Sequence, residues 1–326
     1  MVTLSPPRPS ARPDPGPRGL ARRAGRFLRR PGSGLRRLAP LAWLGPALVL
    51  VGVVVIWPVV VMAQSSFQHI GGEGFVAGYN GTANYRHLFR EPDFVDVLVR
   101  TLLWVVVVVA VTMLLGLGFA QLFHQRFPGR RVARWALIIP WAASVMMTAL
   151  IFRWALDPNN GVINLFLHQV GLVNRLGSHQ AYWLGEPSHA VAWMMAVAVF
   201  VSLPFTTYAI LSGLQGIPDD VYEAAAIDGS TGLGAYLHIT LPLLRPAIIV
   251  ATLINVINVF NSFPIIWEMT RGGPGYQTST STIYMVDLKQ GNVGESAAMS
   301  VINFALVIVV VVVYLSTTRW KDQVDR

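Results

Sequence analysis

The chain has 326 residues, no cysteine and a formal net charge of +9, with 53% hydrophobic but only 13% charged residues. That balance excludes an ordinary soluble domain, whose surface would have to cover far more apolar area than it has polar groups for, and the missing thiols exclude disulfide frameworks and thiolate metal or redox sites. A protein that crosses a membrane several times is what remains.

Residues 1–40 are Pro- and Gly-rich and carry ten arginines between Arg8 and Arg37 against a single acid, Asp14. No packed core is available there, and an apolar run follows at once, so this part reads as a disordered basic cytoplasmic tail near anionic lipid rather than a nucleic-acid arm. That run, 41–63, exceeds the about 7 to 15 residues of a secretory signal core and suits a retained membrane helix. Five further stretches, 101–120, 135–152, 190–211, 247–267 and 297–318, contain no Asp, Glu, Lys or Arg. Val105 to Val109 and Val309 to Val313 have strand propensity, but a lone strand in lipid leaves its backbone groups unpaired, so helix is expected throughout. Six spans result, within a membrane domain of residues 41–320 that is followed by a short tail, 321–326. With both termini inside, inner segments carry 18 of the 25 Lys and Arg residues, which puts the tails and loop 218–246 in the cytoplasm.

Loop 218–246 is the most polar-structured stretch of the membrane domain. Pro218, Asp219 and Asp220 suit a helix start, and Glu223 to Ala226 are good helix formers. Gly229 allows the positive backbone angles of a turn, after which Leu233, Tyr236 and Leu237 resume a helix that Pro242 and Pro246 are expected to limit. A helix, turn and helix too polar for lipid is built to touch something at the membrane surface.

Here the sequence resembles a known family. Glu223, Ala224 and Ala225, then Asp228 and Gly229, then Ile239, Leu241 and Pro242 match in spacing the EAA signature of the membrane subunits of bacterial ABC importers. The later run from Arg271 through Gly272, Gly273, Pro274 and Gly275, with a final helix beginning near Ala298, is similar to the carbohydrate branch of that family. The resemblance implies an all-α membrane protein with six transmembrane helices, the type I importer permease fold, and coupling helices that fit a cleft on a separate ATPase. It also implies a second six-helix permease subunit, two ATPase subunits that bind the ATP and magnesium, a substrate-binding protein outside the membrane, and residence in a bacterial inner membrane. No cofactor is expected on this chain and no nucleic acid.

The residues themselves exclude the catalytic half of such a machine. A phosphate cradle needs a Gly-rich loop with Lys, and the only lysines are Lys289 and Lys321, neither in such a loop. The seven histidines form no metalloprotease pair and there is no nucleophile elbow, so no catalytic or metal-ligating residue is expected. An ion-coupled secondary sugar transporter is the alternative from another class; it would place ionisable groups at mid-membrane, whereas Arg100, Arg153 and Glu268 fall at span ends.

Candidate substrate contacts lie on the fourth and fifth stretches. Helical spacing puts Asn255, Asn258 and Ser262 on one face with Asn261 beside it, and amides in lipid are costly enough that this face should point into the bundle. Interhelical hydrogen bonding and substrate contact both remain open for each of them. Sugars need neutral donors and acceptors beside aromatic faces. Alignment with a maltose-importing member of the family places Asn258, Asn261, Ser202 and Phe205 on its sugar-contacting positions, while Ala198 replaces an asparagine and speaks against maltose itself. A di- or oligosaccharide is the expected cargo, with glycerophosphodiesters as a second possibility within the family.

Overall fold

The computed structural model describes residues 44–318. The basic tail 1–40 and the tail 321–326 lie outside the described residues. The described residues are predominantly helical, with one added short hairpin in which Gln68–Ile70 (β1) pairs antiparallel with Val76–Tyr79 (β2).

Among the described residues, four helices are each long and apolar enough to cross a membrane: Leu44–Ser65 (α1), Asp93–His124 (α3), Pro187–Gln215 (α7) and Val293–Thr317 (α13). A fifth crossing is available from Gly232–Leu243 (α9) and Arg245–Phe260 (α10), which are bent by 65° at their junction. Between β2 and α3 lies the short helix Ala83–Leu88 (α2).

Two of the six expected spans are broken. Stretch 135–152 falls across Arg130–Trp141 (α4) and Val145–Ala155 (α5). Ser144 starts the second piece by adopting extended backbone (φ −65°, ψ 148°) and accepting a hydrogen bond from the Met147 N–H, a cap that gives the freed backbone donor a partner. Stretch 247–267 divides at Asn261 and Ser262, where α10 stops and Phe263–Met269 (α11) begins. Pro264 explains the break, because a proline at the start of a helix lacks only a donor that would be unpaired there. The outer connections carry Val162–Gln169 (α6) and Ser281–Gly291 (α12), and Asp219–Ile227 (α8) precedes α9.

The core is the contact of α3, α7 and α10. Trp104 on α3 is 2% exposed and donates its indole N–H to the Val259 carbonyl at 3.2 Å, tying α3 to α10. Small residues set the separation of the helices: a Cβ on Gly116 would meet Thr206 Cγ2 at 2.7 Å, and one on Gly213 would meet Ala247 Cβ at 2.7 Å. Arg100, which the sequence places at a span end, donates to the Tyr276 and Ser279 carbonyls at 2.6 and 3.1 Å and fastens the segment before α12 to α3. Arg153 likewise donates to the Glu268 carbonyl at 3.1 Å rather than to a carboxylate.

Candidate functional site

The first candidate site is a cavity of about 380 Å³ between α5, α7, α10 and α11. All six sequence-predicted contacts line it: Ser202 and Phe205 from α7, Asn255 and Asn258 from α10, and Asn261 and Ser262 from the break before α11. The break matters. Ending α10 at Phe260 turns Asn261 and Ser262 onto the wall that Pro264 and Ile265 continue. Trp141, at the end of α4, adds an aromatic face that sequence reasoning did not single out, and Ala198 keeps its stretch of wall apolar.

Hydrogen bonding sorts these groups. The Asn255 amide is 2% exposed and donates to Thr206 Oγ1 at 2.7 Å and to the Ala251 carbonyl at 2.9 Å, so it joins α10 to α7. Ser262 is buried and donates its hydroxyl to the Val259 carbonyl at 2.7 Å. Asn261 donates to the Ile257 carbonyl at 3.3 Å and keeps its side-chain oxygen unengaged. Asn258 is exposed to the cavity and, among the described residues, neither it nor the Ser202 hydroxyl has a hydrogen-bond partner. Donors and acceptors left over in a wall with aromatic neighbours can serve a ligand rich in hydroxyls. Among the described residues, no Asp, Glu, Lys, Arg or His lines this cavity.

Of the other aromatics on these helices, Trp267 stacks on Phe263 at 5.4 Å and carries the Arg271 guanidinium at 5.5 Å, while Trp193 packs edge-on to Trp183. Tyr208 donates its hydroxyl to the Arg134 carbonyl at 3.0 Å. Each is engaged in packing away from the cavity.

The second site is the element α8 to α9. Pro218 precedes α8, and Asp219 and Asp220 occupy its first turn, where carboxylates oppose the helix dipole favourably. The helix closes at Asp228, Gly229 takes φ +75°, and the Ser230 N–H returns to the Ala225 carbonyl at 2.9 Å. Thr231 then caps α9 by accepting from the Gly234 N–H at 3.2 Å. Pro242 does not end this helix as expected. A π turn over Tyr236–Thr240, with the Leu241 N–H donating to the Tyr236 carbonyl, widens the helix ahead of the proline ring, and the helix runs on to Leu243. The interruption comes at Leu244, before Arg245 and Pro246 open α10.

Within this element Ala225 is buried, Ile239 and Leu241 are half-buried, and Glu223, Ala224, Asp228, Gly229 and Pro242 are exposed. Glu223 has no ion pair; the two in the described residues both involve His87, with Glu91 and Glu295. The Thr240 hydroxyl meets the Tyr222 hydroxyl at 3.3 Å and closes α8 onto α9. The outer tip of the element is apolar, with Ile227 86% and Leu233 71% exposed.

Comparison with known proteins identifies the family and the fold. The chain is 37% identical over 289 residues to a probable ABC transporter permease protein of Brucella suis, covering 88% of this chain and 99% of that protein. It is 34% identical to the sulfoquinovosyl glycerol transport system permease protein of Agrobacterium fabrum, covering 88% of this chain and 92% of that one. Its fold matches a chain of the crystal structure of a bacterial alginate ABC transporter in complex with an alginate pentasaccharide-bound periplasmic protein, with a TM-score of 0.76, 20% identity, and coverage of 90% and 99%. The sequence model of the family described as binding-protein-dependent transport system inner membrane component matches residues 112–326. The chain therefore belongs to that family, as a multi-pass, non-catalytic ABC transporter permease subunit of the inner membrane.

Proposed function

We propose that this chain forms part of the translocation path of an ATP-driven importer for a di- or oligosaccharide. The observation that carries the substrate class is the cavity in which Ser202, Asn258 and Asn261 present unengaged polar atoms beside Phe205 and Trp141, with no charged side chain on the wall. A neutral polyol surface suits such a wall, whereas a glycerophosphodiester or an acidic sugar would bring an anion to a cavity without a cation. The same lack of a carboxylate argues against ion-coupled secondary transport.

In this reading the chain crosses the membrane six times, with α4 and α5 together making one broken crossing and α10 and α11 another. Both termini and the α8 to α9 element face the cytoplasm. A second six-helix permease completes the path, two ATPase subunits bind ATP and magnesium, and a binding protein delivers the sugar from outside. Glu223 makes a charge-assisted contact with a basic group of the ATPase, and Ala224, Asp228 and Gly229 belong to the docked surface. Ile239, Leu241 and Pro242 carry its movement along α9 to the bend before α10, so that closure of the ATPases swings the cavity from inward to outward facing.

The test is ATP-dependent uptake of radiolabelled di- and oligosaccharides by vesicles holding the whole transporter. Glu223→Ala is expected to abolish ATP-driven uptake while leaving the fold intact. Uptake that persists in that variant, or that follows an ion gradient without ATP, would defeat the proposal.

A further inference from the structure

The connection between α3 and α4 holds a feature that sugar transport leaves unused. A polar cavity of about 520 Å³ opens there, lined by His124, Arg126 and Arg130 on one side and by Gln215, Pro218 and Asp219 on the other. The arginines of this region are not equivalent. Arg134 donates to the Phe123 carbonyl at 2.7 Å and holds α4 against the end of α3. Arg130 donates only to the Gln125 carbonyl at 3.3 Å, and Arg126 has no hydrogen bond or ion pair among the described residues. Two guanidinium forks and an imidazole thus face one cavity with a single carboxylate, Asp219, opposite them. Guanidinium forks match the paired oxygens of a phosphate, and such charge-assisted bonds are stronger than neutral ones.

A second observation separates a lipid from a free anion. Beginning two residues after Arg130, Val132, Trp135 and Ile139 recur at helical spacing on α4 and are 72%, 60% and 67% exposed. This apolar stripe leads away from the basic cavity along a helix whose other face carries Arg134 inward. Basic head, tryptophan and apolar stripe suit the end of a membrane helix where it meets anionic lipid at the bilayer surface.

We propose that this cavity binds the phosphate headgroup of an anionic phospholipid, whose acyl chains lie along Val132, Trp135 and Ile139. Gln215 and Asp219 are placed to accept hydrogen bonds from headgroup hydroxyls, as in phosphatidylglycerol. Because Asp219 opens α8, an occupied cavity would brace the base of the coupling element.

The experiment uses the assembled transporter in detergent, exchanged into phosphatidylglycerol or phosphatidylcholine and read by native mass spectrometry. Phosphatidylglycerol is expected to stay bound and phosphatidylcholine to be lost. Arg126→Gln with Arg130→Gln should cut phosphatidylglycerol retention by roughly tenfold or more, and the corresponding Lys pair, which keeps the charge but not the forks, should lie between. If the Gln pair does not assemble, the Lys pair alone decides by the same intermediate retention. Equal retention of both lipids, or unchanged retention in the variants, would overturn the proposal. So would full displacement by inorganic phosphate, which would mark a free-anion site, or loss of the ATPase with lipid retention unchanged, which would assign the arginines to protein docking.

Discussion

Asn255 and Asn258 sit three residues apart on α10 and line the same cavity, yet the structure gives them opposite roles, and replacing each by Ala separates those roles. Asn255→Ala removes the bonds to Thr206 Oγ1 and the Ala251 carbonyl and leaves the Thr206 oxygen without its donor in a buried position. A side-chain hydrogen bond between membrane helices contributes about 0.6 kcal/mol on average and at most about 1.7. With the small void left by the amide, a loss of about 1–2 kcal/mol is expected. Asn258→Ala removes no bond within the described residues, so its effect on stability should stay within about 0.5 kcal/mol. If Asn258 instead bonds a sugar hydroxyl, losing about 0.5–1.5 kcal/mol there weakens substrate affinity about 2- to 13-fold. Thermal unfolding of the purified transporter and a concentration series of ATP-driven uptake read the two effects. Asn255→Ala should lower the melting temperature, and Asn258→Ala should raise the apparent KM at unchanged melting temperature. Equal melting losses with uptake unaffected in both would refute the division between a structural and a ligand-facing asparagine.

Three further outcomes follow from the packing and the electrostatics. Gly116→Val should destabilise by about 1–3 kcal/mol through overpacking, because its Cβ would press on Thr206, whereas Gly118→Ala, with nothing within 4 Å, should melt like the native protein. Gly229→Val meets no neighbour, so its cost of about 1–2 kcal/mol comes from the left-handed backbone alone; Gly229→Asn should restore most of the ATP-driven uptake that the valine loses. Burial raises the Asp287 carboxyl above its ordinary pKa, so folding favours its neutral form. That contribution is full at pH below the unfolded pKa and fades as pH rises through the folded one; Asp287→Asn should therefore match the native protein in acid and melt higher at neutral pH, as a pH series of melting curves would show.

The helix, turn and helix of α8 to α9 were legible in the sequence because their signals are local. Pro218, Gly229 and the alanines fix a helix, a turn and a second helix whatever surrounds them. The asparagine face was legible for a related reason, since amides in an apolar run have few places to go. What each amide does was not, because Asn255 is claimed by Thr206, a residue 49 positions away on another helix. The breaks at 142–144 and 261–262 were hidden by uniform apolarity, although Ser144 and Pro264 are the residues that make them. Pro242 misled in the other direction: the π turn ahead of it absorbs a residue that normally stops a helix. The distinction between Arg134, used by the protein, and Arg126 and Arg130, facing a cavity, also needed the fold, since spacing alone gives one basic cluster.

The bare apolar tip at Ile227 and Leu233 bears on how the protein is made. Those side chains lie on an element that carries Asp219, Asp220, Glu223 and Asp228 and so is too polar for lipid, and nothing among the described residues covers them. Two such side chains on a polar element make a sticky, solvent-facing knob of the kind that chaperones and proteases recognise when it is left uncapped.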